Sequence, residues 1–258
     1  MIKPARNDRL CWRLIMNLAK IYDDLSKKYG PQGWWPILNK KSNIKNQHYF
    51  ILNGLTYGIP YSQLETHREP LRDPYFEIAV GAILTQNINW KNVACAIEAL
   101  HKTRVLTPQA IVSMRTSKLE KSLYCTRYYA QKAKKVKIFS KWLIDNFDGD
   151  MRGLRRLKIE DLRLKLLDLW GIGRETADSI ILFALNKPIF MIDEYTRRFC
   201  VKIGVNFKDH DDYRLFFEKR LNLSYNTLAP DKLTKLYQEF HALIVREGQE
   251  KQICRAIP

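Results

Sequence analysis

Apolar residues recur along most of the chain at the three- and four-residue spacing of amphipathic helices. The first predicted helix lies within residues 8–28, and Gly30 follows it where a C-cap belongs. Asp73-Pro74 predicts another helix start, because the aspartate can cap free N–H groups and proline fits the first helical position. Residues 31–72 have no helical period, so any strands are expected there.

Helical signals continue beyond this point. Asn89 and Thr107 are predicted N-caps, and Ser117 with Glu120 has the spacing of a capping box. Helical periodicity is found over residues 128–146, 160–169, 174–186, 194–204, 211–221 and 229–247. No segment alternates apolar and polar residues in the manner of a large sheet. The pattern therefore predicts an all-α protein.

The charge balance indicates the kind of partner. The chain has 44 Lys and Arg residues against 27 Asp and Glu residues, a formal net charge of +17, which favours nucleic acid. No apolar run approaches the ~18–20 residues of a membrane span, and the N-terminal residues lack the apolar core of a signal peptide. Five widely spaced cysteines argue against a disulfide framework and a CxxC metal site. We expect an intracellular protein located with the DNA, in the cytoplasm or in a nucleus.

The helix predicted over residues 128–146 is strongly basic. The lysines expected largely on its outward face are Lys132, Lys134, Lys135, Lys137 and Lys141. This run fits contact with DNA, for which Lys132 is the chosen candidate, and it fits an ordinary solvated face equally well.

A glycine turn separates two predicted helices. Gly171-Ile172-Gly173 ends one helix, and Arg174 begins the next. The glycines permit positive φ and leave N–H groups unpaired at a helix N-terminus, which suits a phosphate oxygen, while Ile172 would anchor the turn in the core. The pattern is that of a helix-hairpin-helix motif that holds the DNA backbone, although a plain corner between helices looks the same.

Asp193 lies beyond the second of these helices, at the start of another. A carboxylate at a helix N-terminus is stabilised as the anion by the helix dipole and by free N–H groups. Two roles remain open from this pattern, a simple N-cap or an anion that faces a cationic transition state near DNA.

Together, these segments resemble the helix-hairpin-helix/Gly-Pro-Asp superfamily of DNA glycosylases, in its endonuclease III branch. The resemblance rests on GIG at 171–173, RETADSIILFAL at 174–185, IFMIDEYTRR at 189–198, DPYFEIAVGAILTQNINWKNV at 73–93 and YYAQKAKKVK at 128–137. These motifs follow the family's order, and the chain is most similar to the branch's monofunctional 3-methyladenine DNA glycosylases.

The resemblance implies roles for several residues. Asp193 matches the catalytic aspartate, and Gln86 matches the glutamine that fills the gap left by an extruded nucleotide. The turn 171–174 matches the hairpin whose amides hold a DNA phosphate, often with a monovalent cation on nearby carbonyls. Trp34-Trp35 is similar to a tryptophan pair of the base pocket, so Trp34, Trp35 and Trp90 are candidate pocket walls, although paired tryptophans are also common in cores.

Two departures from the family concern chemistry. Bifunctional members carry a lysine two residues past the second hairpin glycine, whereas this chain has Glu175, and a carboxylate cannot form the Schiff base of a lyase. The nearby Lys187 is an alternative amine in principle, although its place after the helix favours a solvated loop residue. Many members also hold a [4Fe–4S] cluster with four C-terminal cysteines, whereas here Cys254 is the single cysteine of that region, so no cluster is expected in this chain and no cofactor is required. Either this lineage lost the cluster or the sequence continues beyond Pro258.

The resemblance implies two helical subdomains with a DNA-binding cleft between them. Residues 1–72 would contribute to the second subdomain, residues 73–192 would form a helical domain ending in the hairpin motif, and residues 193–258 would pack back against the N-terminal region. The expected protein is a monomer that acts on double-stranded DNA containing a damaged base, and it has no membrane partner.

The expected reaction is hydrolysis of the N-glycosidic bond of a flipped-out base, an alkylated purine such as 3-methyladenine. Three alternatives remain open from the sequence. They are an endonuclease III-like glycosylase/AP lyase for oxidised pyrimidines, a mismatch uracil or thymine glycosylase, and a non-catalytic DNA-binding protein.

Overall fold

The computed structural model describes residues 17–35, 37–38, 50–52, 55–57, 73–225 and 228–256. The chain divides into two compact units. The terminal unit comprises residues 1–32 and 188–258, and the central unit comprises residues 33–187. The predicted domain boundaries are 72/73 and 192/193, whereas the structural boundaries lie at 32/33 and 187/188.

The described elements are mostly helices, as the hydrophobic pattern predicts. In chain order they are α1 (Leu18–Tyr29), β1 (Ile37–Leu38), β2 (Phe50–Leu52), β3 (Leu55–Tyr57), α2 (Pro74–Leu84), α3 (Trp90–Lys102), α4 (Pro108–Ser113), α5 (Thr116–Ser122), α6 (Tyr129–Phe147), α7 (Met151–Leu154), α8 (Ile159–Leu167), α9 (Arg174–Ser179), a π-helical turn that continues α9 (Ile180–Ala184), α10 (Glu194–Lys202), α11 (His210–Ser224) and α12 (Pro230–Ala256). None of the helices in the described ranges is both long enough and apolar enough to span a membrane. The all-α prediction is confirmed, with one small sheet inside residues 31–72, where strands are expected.

Local capping signals determine several of the helix starts. The Asp73 carboxylate accepts hydrogen bonds from the first free N–H groups of α2, and Asn89 and Thr107 cap α3 and α4 in the same way. The capping box predicted at Ser117 is wrong, because α5 begins one residue earlier, at Thr116, and has no side-chain cap. Ser117 therefore lies inside the first turn instead of in front of it.

Helix α2 is the centre of the central unit. Every one of its residues is buried, and it packs against α3, α6, α9 and the π-helical turn. Phe76 of α2 stacks on Phe139 of α6 with ring centroids 6.2 Å apart. Its one buried carboxylate, Glu77, is satisfied by His101 of α3, with 2.7 Å between Oε2 and Nε2. The antiparallel sheet, in the order β1-β3-β2, places β1 beside α2 and α3.

The terminal unit is held together by aromatic packing between helices that are far apart in sequence. Helix α1 packs against α11 and α12, and α10 packs against α12. Phe190 and Phe217 stack with ring centroids 4.1 Å apart, and Phe240 of α12 meets both of them edge-on. This core fixes the chain on either side of Asp193, because Phe190 lies just before it and α10 just after it.

Candidate functional site

The predicted hairpin is present in the central unit as a tight turn between α8 and α9. Gly171 has φ +84°, and the Ile172 N–H donates to the carbonyl of Leu169 at 3.0 Å. Ile172 is buried, as predicted, whereas Gly173, Arg174 and Glu175 are exposed. The exposed side of the turn therefore consists of backbone and two charged side chains at the first turn of α9.

A buried ion pair fixes the two hairpin helices against each other. Arg163 of α8 donates from Nε to Asp178 Oδ1 at 2.6 Å and from a terminal nitrogen to Oδ2 at 3.2 Å. Asp178, on α9, has no solvent-exposed surface. A bidentate pair has a defined geometry, so the angle between α8 and α9 is set by this contact as well as by the turn.

The two hairpin glycines differ in whether the fold requires a glycine at their positions. A Cβ on Gly171 would have to adopt the left-handed conformation and would lie 2.6 Å from Lys135 Cε, because the Lys135 side chain covers this glycine. Gly173 has an ordinary φ of −92°, and a Cβ there would have nothing within 4 Å. The fold therefore requires glycine at 171 and not at 173.

Gln86 follows α2 and reaches the hairpin through its side chain. Its Nε2 donates to the Gly171 carbonyl at 3.1 Å and to Thr176 Oγ1 at 2.8 Å. Its Oε1 accepts a hydrogen bond from Lys135 Nζ. In this structure the amide braces the turn, and its insertion into DNA remains a prediction.

Lys132 does not lie on the outward face of α6, so this part of the prediction is wrong. Only 2% of the residue is exposed, and its ammonium has no hydrogen-bond partner among the described residues. Burial, together with the nearby Lys135 charge, lowers the pKa of Lys132 to about 8. The sequence holds the signal, because Lys132 precedes the buried Val136 and Phe139 by four and seven residues, the spacing of a single helix face.

The three tryptophans predicted as pocket walls lie together in the central unit. The Trp35 ring centroid is 6.0 Å from that of Trp34 and 5.1 Å from that of Trp90, both nearly perpendicular. Phe183 of the π-helical turn joins the group, 5.2 Å from Trp35 and 6.1 Å from Trp34. Trp35 is the buried member, and it fits because Gly81 of α2 leaves room for its indole nitrogen. The cluster is a group of electron-rich rings in the same unit as the hairpin.

Asp193 is the N-cap of α10 in the terminal unit. Its Oδ1 accepts a hydrogen bond from the Thr196 N–H at 2.7 Å, and its side chain is 13% exposed. One oxygen is therefore committed to the helix start, and the orientation of the carboxylate is fixed by it.

A histidine lies beside the second oxygen of that carboxylate. His241 Nε2 is 3.7 Å from Asp193 Oδ2, and His241 Nδ1 is 3.5 Å from Thr196 Oγ1. His241 is wholly buried, and burial lowers its pKa, so the imidazole is neutral at neutral pH. His241 therefore brings no positive charge to the second oxygen of Asp193.

The sequence does not assign Thr176, His241 or Phe183 to the site, and it does not link Lys135 to Gln86. Lys135 and Thr176 could be found from their helical spacing to neighbouring site residues, although the bond of each to Gln86 could not. His241 lies too far from Asp193 in sequence for any local signal. Phe183 looks like an ordinary core residue of RETADSIILFAL.

The described residues do not form a metal site. No three His, Cys, Asp or Glu side chains converge among them. Cys200 is buried in the terminal unit, Cys95 and Cys125 belong to the central unit, and the side chain of Cys254 lies outside the described part. The three described cysteines are therefore divided between the two units, and the absence of a [4Fe–4S] cluster stays a prediction. The monovalent cation at the hairpin stays a prediction.

Comparison with known proteins agrees with this geometry. The family model described as HhH-GPD superfamily base excision DNA repair protein matches residues 80–222, from α2 into α11. A protein of Methanocaldococcus jannaschii named as a DNA repair glycosylase is 33% identical over 242 residues, which are 92% of this chain and 89% of that protein. Endonuclease III homolog 2, chloroplastic, of Arabidopsis thaliana is 28% identical over 67% of this chain, which spans 42% of that protein's length.

Solved structures give the same result. The 3-methyladenine DNA glycosylase of H. pylori, bound to 1,N6-ethenoadenine, matches with a TM-score of 0.63 and 28% identity over 74% of this chain and 93% of that one. An endonuclease III trapped covalently on DNA matches in fold, with a TM-score of 0.55 and 17% identity over 88% of this chain and 84% of that one. The family match and the M. jannaschii relative, added to the hairpin and the capping aspartate, show that this chain belongs to the HhH-GPD superfamily of base excision DNA repair proteins.

Proposed function

We propose that the protein is a monofunctional DNA glycosylase that hydrolyses the N-glycosidic bond of a flipped-out alkylated purine, such as 3-methyladenine. The observation that carries this proposal is the geometry of Asp193. A carboxylate fixed at a helix N-terminus, beside a neutral histidine and with one oxygen outside the cap bond, is suited to stabilising positive charge on a deoxyribose.

The chemistry requires little beyond this carboxylate when the base is alkylated. Alkylation at N3 or N7 of a purine makes the base cationic, so it leaves without being protonated by the enzyme. As the glycosidic bond breaks, the sugar acquires oxocarbenium character, which Asp193 would stabilise, and the same carboxylate would orient or deprotonate the attacking water.

The absence of a lyase step is supported by Glu175. It is exposed in the first turn of α9, at the position where bifunctional relatives carry the Schiff-base lysine. A carboxylate cannot form an imine with the sugar C1′, so the reaction should stop at an abasic site.

The substrate class is supported by the tryptophan cluster. Indole faces attract a cationic base by about 0.5–2 kcal/mol, and Trp34 and Trp90 each lie within ring-contact distance of Trp35. The H. pylori relative that shares 28% identity is a 3-methyladenine DNA glycosylase crystallised with a modified adenine. The excess of positive charge and the hairpin would bind the phosphate backbone of duplex DNA.

A direct test is to incubate the pure protein with duplexes carrying labelled 3-methyladenine, 7-methylguanine, oxidised pyrimidine or a mismatched thymine, and to identify the released base. We expect release from the alkylated duplexes. Asp193→Asn keeps a good N-cap and removes the charge, whereas Asp193→Ala removes both. The asparagine variant should melt like the wild type, bind abasic DNA normally and release base about 10²–10⁴-fold more slowly.

Wild-type release by Asp193→Asn would refute the role of the carboxylate. Treatment of the reaction with borohydride tests the lyase question separately, since a trapped protein–DNA adduct would establish the alternative glycosylase/lyase. Burial lowers the pKa of the Lys187 ammonium, so Lys187→Met is the variant that would identify this amine in such an adduct.

A further inference from the structure

The exposed aromatic side chains of the described residues are concentrated in two short segments. They are Tyr124, Tyr128, Tyr129 and Trp170, which lie just before α6, at its first turn, and immediately before the hairpin glycine Gly171. Trp170 is 49% exposed although it adjoins the buried Ile172 turn. Large aromatic side chains left in water beside a ligand-binding motif indicate a binding surface.

Basic side chains lie on two of these rings. Lys134 Nζ is 4.2 Å from the centre of the Trp170 ring, and the Arg127 guanidinium is 5.5 Å from the centre of the Tyr128 ring. Lys134 projects from α6 and is exposed, so its ammonium can contact the indole and a solvent-borne anion together.

We propose that Trp170 and Lys134 form a second DNA contact next to the hairpin, a pair that we call the indole–lysine contact. Lys134 binds a backbone phosphate, and the Trp170 ring packs on the deoxyribose or base of the adjoining nucleotide. This inference rests on the proposed function only in that DNA is the partner. Aromatic rings among cations are the arrangement by which proteins hold nucleic-acid strands without reading their sequence.

The position of the pair relative to the hairpin supports this assignment. Trp170 is bonded directly to Gly171, and Lys134 is followed by Lys135, whose side chain covers Gly171 and bonds Gln86. Both members of the pair are therefore within one residue of groups at the hairpin turn. A strand whose phosphate reaches the exposed amides near Gly173 would have its next nucleotides within reach of the indole.

The test is the affinity for two labelled duplexes, one with a stable abasic analogue and one undamaged, measured by fluorescence anisotropy at several salt concentrations. Trp170→Ala should weaken binding to both duplexes about 5- to 100-fold, and Trp170→Phe should keep most of the affinity. Lys134→Ala should lower the slope of log Kd against log salt by about one, the signature of one lost phosphate contact.

Lys102→Ala is the matched control. Lys102 lies at the end of α3 in the same unit, is also exposed and pairs with Glu98 at 2.9 Å, so its loss should leave both affinity and salt slope unchanged. All these side chains are exposed, so the variants should have the same melting temperature as the wild type. If Trp170→Ala does not fold, the salt slope of Lys134→Ala decides the question.

Binding by Trp170→Ala and Lys134→Ala within twofold of the wild type, with an unchanged salt slope, would overturn the indole–lysine contact. Base release at saturating DNA separates this result from the proposed function. If the variants bind more weakly and the wild type releases no base, the indole–lysine contact is supported and the glycosylase proposal is refuted. If the wild type releases base and the variants bind DNA as the wild type does, the glycosylase proposal is supported and the contact is refuted.

Discussion

The two hairpin glycines offer a sharp test, because the structure gives them different tasks. Gly171→Ala places a Cβ at φ +84° and 2.6 Å from Lys135 Cε, whereas Gly173→Ala adds a Cβ at φ −92° into open space. The first change must disturb the turn and move Lys135 away from Gln86. The second change leaves every described contact of the turn in place.

The expected magnitudes follow from these contacts. The left-handed conformation costs about 1–2 kcal/mol for alanine, and losing a hydrogen bond from a charged donor costs about 1.5–3 kcal/mol, less where water replaces it. Gly171→Ala should therefore lower the free energy of unfolding by about 2–4 kcal/mol, which corresponds to about 5–15 °C in a chain of this size. Gly173→Ala should change it by no more than about 0.5 kcal/mol.

The assay pairs thermal unfolding, followed by circular dichroism, with binding to the abasic-analogue duplex. Gly173→Ala should have the same melting temperature as the wild type. It should nevertheless bind DNA at least about tenfold more weakly, because its methyl group blocks the access of a phosphate to the N–H groups of the turn. Equal melting temperatures for the two variants would refute the structural distinction. Full DNA affinity in Gly173→Ala would refute the phosphate role of this turn.

Three further outcomes are expected. Asp178→Asn should lower the free energy of unfolding in urea by about 3–5 kcal/mol, because it removes the charge of the fully buried member of an ion pair, whereas the exposed Asp161→Asn should lower it by less than about 0.5 kcal/mol. Lys132→Met should stabilise the protein at neutral pH by about 1–3 kcal/mol, since it replaces a buried ammonium that has no partner among the described residues. In the folded wild type the pKa of Lys132 is about 8, below the usual 10.5, so the unfolded chain binds more protons than the folded one between these two pH values. The free energy of unfolding should therefore rise from pH 8 to pH 10.5, and this rise should vanish in Lys132→Met. His241→Leu should slow base release about tenfold in single-turnover assays while binding of abasic DNA is kept, and unchanged release would show that the imidazole beside Asp193 does not contribute to catalysis.

The helices and the hairpin could be predicted because their signals are local. A cap such as Asp73, a glycine turn and an apolar stripe each act within a few residues, and the structure has them where the sequence places them. The bonds from Gln86 to the hairpin and the contact of His241 with Asp193 join residues far apart in sequence, and they depend on packing that no short pattern encodes. Lys132 is a different case, because its spacing indicates the inward face of α6 and its charge suggests the outward face. The side chain is buried, so the spacing predicts its position correctly.

The hydrogen bonds that hold the Gln86 side chain have a consequence for its predicted insertion into DNA. Its amide has three partners at the turn, so its release breaks one hydrogen bond each to the Gly171 carbonyl, the Thr176 hydroxyl and the Lys135 ammonium. An incoming phosphate can replace the amide oxygen at the ammonium, and a charge-assisted bond of that kind is stronger than the one it displaces. The insertion into DNA that the sequence predicts for Gln86 would then be coupled to the binding of a phosphate at Lys135.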